Sequence, residues 1–68
     1  MPAVKLSEEQ KQAFKVAMKG FQVYEGGRTA VVHIMVGSHN EKLVVKPLGV
    51  IAELEEKVRA RVCELIPS

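Results

Sequence analysis

The segment Arg28-Thr29-Ala30-Val31-Val32-His33-Ile34-Met35-Val36 runs into Gly37-Ser38-His39-Asn40 and then Glu41-Lys42-Leu43-Val44-Val45-Lys46, and this reading constrains the rest of the chain. Residues 28–36 are rich in β-branched side chains and read as a strand. The glycine, serine and asparagine cluster that follows is turn chemistry, and a further strand is expected over 41–46. Upstream, Phe21-Gln22-Val23-Tyr24-Glu25 alternates with the strand period, and Gly26-Gly27 offers the positive φ angles of a tight hairpin. Connections this short make the strands antiparallel neighbours, a three-stranded meander.

Helical patterns flank the strands. Ser7 followed by Glu8, Glu9 and Gln10 is a capping box, with Gln10 placed to return a bond to the Ser7 amide. Gln10, Ala13, Phe14, Ala17 and Met18 then share one helical face, and Gly20 offers a left-handed stop, which predicts a helix over Glu8–Lys19. Pro47 stops the third strand, and the second helix is expected to begin between Pro47 and Val50. Ile51, Leu54, Val58, Val62 and Leu65 recur at helical spacing, with Pro67 beyond the end. Glu53 with Lys57 and Glu55 with Arg59 are spaced for stabilising ion pairs on a solvated polar face.

The pattern predicts one α+β domain over residues 1–68, two-layered, in the order α-β-β-β-α, with two amphipathic helices against a three-stranded antiparallel sheet. Ala30, Val32, Ile34 and Val36 form one side of the central strand, and Val31, His33 and Met35 the other. If both helices cover the first side, Tyr24, Val31, His33, Met35 and Val44 form an open, largely apolar face. One helix on each side would instead leave no such face. A chain of 68 residues buries only about 60% of its unfolded surface and needs a supplement to its core. Its single cysteine, Cys63, forms no internal disulfide, and Cys63 with His33 and His39 falls short of a four-ligand zinc site. No metal or cofactor is therefore expected. A second copy on the open face is the expected supplement, with Tyr24, Val31, His33, Met35 and Val44 as interface residues.

Ten basic against eight acidic residues give +2, carried by the N-terminal segment with Lys5, Lys11, Lys15 and Lys19 against Glu8 and Glu9. Lys11, Lys15 and Lys19 are four apart and fall along one side of the first helix, a candidate polyanion-binding stripe for a nucleic acid or an acidic protein. No apolar run approaches the ~20 residues of a membrane span. The lone thiol and the absence of an export pattern at the N-terminus make the cytoplasm the expected location.

Catalytic chemistry is not expected. The chain has no Asp, so a Ser-His-Asp triad is excluded, and no motif brings Glu25 or Cys63 beside His33. His33 reads as a packed or interface histidine. Cys63 lies roughly 140° from the apolar stripe of the second helix, near Ala52, Glu56 and Ala60, and reads as an accessible small residue. Glu25-Gly26-Gly27-Arg28 and Val36-Gly37-Ser38-His39 join strand to strand, unlike phosphate cradles, which lead into helices.

The order and length of the elements resemble a double-stranded RNA-binding domain. That family's basic cluster at the start of its second helix has no counterpart in Lys46-Pro47-Leu48-Gly49-Val50, so the resemblance implies topology and not RNA binding. Met18-Lys19-Gly20 before a hairpin is also similar to small head-to-tail joining proteins of tailed phages, from which the third strand departs. The expected function is a non-enzymatic protein-interaction or assembly module, a homodimer associating through the open sheet face; the alternative is a polyanion-binding module using the basic stripe.

Overall fold

The computed structural model describes residues 5–47, 49 and 51–67. The chain runs α1 (Glu8–Lys19), β1 (Gln22–Tyr24), β2 (Thr29–Val36), β3 (His39–Val45) and α2 (Ile51–Leu65), an α+β fold with an antiparallel sheet in the order β1-β2-β3. Its overall dimensions of 36 × 33 × 16 Å are those of a two-layer slab.

The capping box is formed in full. Ser7 Oγ accepts from the Gln10 amide at 3.2 Å, and Gln10 Oε1 accepts from the Ser7 amide at 2.8 Å. Two N-terminal amides that a helix leaves orphaned are thus satisfied. Gln10 does more than cap: its Nε2 donates to the Ile66 carbonyl at 2.6 Å, joining the start of α1 to the chain just past α2. This explains a glutamine that is only 3% exposed on an apolar face. Gly20, expected to be left-handed, has φ −112° instead. The chain leaves α1 into β1 after two intervening residues, Gly20 and Phe21, with no left-handed reversal.

The strands are offset from their expected bounds. β1 is shorter than residues 21–25, because Glu25 turns with Gly26 and Gly27, all three at positive φ (54°, 64° and 92°). Thr29 Oγ1 donates to Glu25 Oε2 at 3.3 Å across that turn. β3 begins at His39, two residues before its expected start at Glu41. Gly37 at φ 60° allows a two-residue turn with Ser38, so His39 and Asn40 pair with Val36 and Met35 instead of lengthening the loop.

One side of β2 forms the core. Val32, Ile34, Leu54, Val58 and Val62 are fully buried, and Ala17, Ala30 and Val45 join them. Side chains from both helices meet the same set of β2 residues, so α1 and α2 cover one face of the sheet and leave the other open. Burying each of the larger aliphatic side chains stabilises the fold by about 1.5–3 kcal/mol. Ile51, expected in the stripe of α2, lies at the helix start and is 47% exposed. The expected helix start between Pro47 and Val50 involves Leu48 and Val50, which lie outside the described residues; Ile51 is the first residue of α2.

The polar side of α2 is not simply solvated. Among the described residues neither Glu53–Lys57 nor Glu55–Arg59 closes as an ion pair; Arg59 lies 5.3 Å over the Phe14 ring of α1, and Arg61 reaches Glu41 on β3. A guanidinium prefers a planar partner, and both arginines find one on a neighbouring element within reach.

Candidate interaction surfaces

The open face is built by strand alternation. Gln22 faces Val31 and Val31 faces Val44; His33 faces Lys42, and Met35 faces Asn40. Cross-strand partners project to the same side, so these residues share one surface with Tyr24, which pairs with Thr29. Tyr24, Met35 and Val44 are 48%, 50% and 53% exposed, while Val31 at the centre is half-buried. A shallow depression of about 480 Å³ is lined by Gly20, Gln22, Tyr24, Val31, His33, Lys42 and Val44. Four of the five expected interface residues thus line one hollow. Met35 stands beyond its rim, next to Asn40. Within the hollow the Tyr24 hydroxyl donates to Gln22 Oε1, which fixes the aromatic ring at one end.

His33 is exposed on this face, and no acidic residue shares the rows around it. Its cross-strand neighbour is a lysine. The sequence reading misses Gln22 and Lys42, although the period-two alternation that places Val44 outward places Lys42 outward as well.

Lys11, Lys15 and Lys19 are exposed on α1, which covers the other side of the sheet, so this stripe and the open face look in opposite directions. Lys11 lies 3.6 Å from Glu8; among the described residues Lys15 and Lys19 have no acidic partner. Val16, 49% exposed, borders the stripe.

A third cluster holds α2 to the sheet. Arg61 Nε and Nη2 donate to the two Glu41 carboxylate oxygens at 2.7 and 2.8 Å, a bidentate pair, and His39 Nε2 lies 2.7 Å from Glu41 Oε1. The bonds from Arg61, then His39, hold the Glu41 carboxyl down at about 2, and Glu41 in turn raises Arg61 further above its ordinary range. This arrangement clamps strand to helix; it presents no nucleophile. Cys63 is half-buried on α2, while Ala52 and Ala60 are exposed. Among the described residues no group of three His, Cys, Asp or Glu is placed to hold a metal ion, and no helix is long and apolar enough to cross a membrane. No protein-family model matches the chain, and no curated protein or solved structure matches it either.

Proposed function

We propose that this chain is a small non-enzymatic assembly module that acts as a homodimer, two copies packing by their open sheet faces. The observation that carries this reading is the contrast across β2: its inner side chains are fully buried, while Met35, Tyr24 and Val44 around its outer side keep about half their surface. Two such faces stacked about 10 Å apart would make a four-layer helix-sheet-sheet-helix assembly with Val31 and Val44 at its centre and Gln22, Asn40 and Lys42 at its rim. A reducing compartment such as the cytoplasm suits the single thiol. Replacing Met35 with Glu puts a charge in the interface while leaving the buried side of β2 intact. Light scattering is expected to show a dimer for the parent chain and a monomer for Met35→Glu; an unchanged mass overturns the placement.

Among the described residues Lys15 and Lys19 have no acidic partner, which favours a second reading, in which the stripe with Lys11 binds a nucleic acid or an acidic protein surface. The two readings separate by salt. Phosphate binding falls steeply between low and moderate salt, whereas packing of apolar faces changes little. Nucleic-acid binding that is unaltered when Lys11, Lys15 and Lys19 all become Glu rejects the second reading.

A further inference from the structure

β1 covers only part of the edge of β2. Its partners there are Thr29, Ala30 and Val31, whereas β2 continues to Val36, so residues 32–36 are paired on the β3 side alone. The hairpin at the far end determines which backbone groups this leaves over. A two-residue turn closes on a hydrogen-bonded pair, here Val36 with His39, and antiparallel alternation then aims the amides and carbonyls of Val36, Ile34 and Val32 at β3. His33 and Met35 direct theirs to the opposite, uncovered edge. Among the described residues no backbone hydrogen bond outside the helices and the ladder reaches either residue.

The two free edges of the sheet differ in character. The outer edge strand β3 carries Glu41 and Lys42 and is followed by Lys46 and Pro47, the charged and proline residues that discourage strand addition. The uncovered stretch of β2 reads Val32-His33-Ile34-Met35-Val36, with no Lys, Arg, Asp, Glu or Pro. It is the longest uncharged free edge among the described strands, β1 offering only the three residues Gln22–Tyr24.

We propose that this stretch pairs antiparallel with the same stretch of a second copy, about a two-fold axis through Ile34. In that register Ile34 faces its own counterpart, His33 faces the partner's Met35, and Val32 faces the partner's Val36. Each His33–Met35 pair exchanges two backbone hydrogen bonds, so the amide and carbonyl of both residues are satisfied in both copies. The register also ends where it must. One residue further, Gly37 turns away opposite Val31, whose edge β1 already occupies. A long extended segment of another protein would run into β1, whereas a second copy ends in its own turn. The side chains of His33 and Met35 stay on the open face, so edge pairing does not rest on face packing and joins a different neighbour.

Amide exchange measured by NMR on the full chain, dilute and at millimolar concentration, tests the pairing. The His33 and Met35 amides are expected to slow at least tenfold on concentration, with the Ser38 turn amide unchanged. Equal exchange of the two amides at both concentrations overturns the proposal. Val44→Glu, which charges the open face from β3 and leaves the 32–36 stretch unaltered, separates edge pairing from face packing. Retained protection in that variant, even when its mass shows that the open faces no longer pack together, supports edge pairing; protection that disappears with the variant overturns it.

Discussion

Alternate residues of β2 sit in opposite environments: Val32 and Ile34 have no exposed surface, while Met35 beside them keeps half of its own. The backbone conformation is the same and the composition nearly so; what differs is whether a helix lies over the side chain. On the covered side, small and branched residues from α1, β2, β3 and α2 interdigitate into one cluster. On the other side, side chains of similar size meet only their strand neighbours. Hydrophobicity alone therefore does not mark this chain's core. The two amphipathic helices are both consumed by one face, which leaves the other uncovered.

The largest expected effect lies on the covered face. Ile34→Ala should destabilise the monomer by about 2–5 kcal/mol through lost transfer energy and a residual cavity, while Met35→Ala, measured below the association range, should stay within about 0.5 kcal/mol. Urea unfolding of both variants reads the difference. Comparable losses would erase the distinction between the faces.

Next comes the polar tie at the margin of that core. Gln10→Ala removes the return bond to Ser7 and the bond to the Ile66 carbonyl together, and should cost about 1–3 kcal/mol. Gln10→Glu keeps an acceptor for the Ser7 amide but has no donor for Ile66, so its loss should also be clear in thermal unfolding. A Glu variant as stable as the parent would show that the Ile66 bond contributes nothing.

The smallest effect should appear only in acid. Glu41 ionises in the folded protein near 2 instead of its ordinary 4.5, because Arg61 and His39 bond to the charged form. The unfolded chain therefore takes up this proton at a higher pH than the native one. The resulting stabilisation is fully present above 4.5 and is lost as pH falls toward 2. Glu41→Gln should flatten the dependence of stability on pH across that window, seen as a shallower acid limb in denaturation midpoints collected from about pH 5 to 2. An acid limb as steep as the parent's would remove Glu41 from the account.

Much of this architecture is legible in sequence because it follows from local chemistry and periodicity. The start of α1 comes from Ser7 and Gln10, and the parity of β2 from its alternate apolar sets. Less legible are features set by what a residue meets across the fold. Gln10 reads as a cap, and its second bond depends on where Ile66 arrives. Arg59 reads as one half of an i,i+4 pair with Glu55, yet the Phe14 ring lies within its reach. The short turn at Gly37 and Ser38 is hidden by His39 and Asn40, which are turn-formers by type but are drawn into the ladder by Val36 and Met35. The bare edge of β2 follows from the brevity of β1, which depends on Glu25 taking a positive φ that its residue type seldom adopts.

The bond from Gln10 to Ile66 spans 56 positions of the chain. During synthesis α1 emerges before the strands and α2, but its polar anchor is completed only once Ile66 has left the ribosome. Until α2 emerges, α1 can cover the inner side of β2 only in part. Completion of this core consequently waits for α2, the last of its elements. A stalled chain lacking α2 would leave part of the inner side of β2 uncovered as well as the outer, which favours association with the wrong partner.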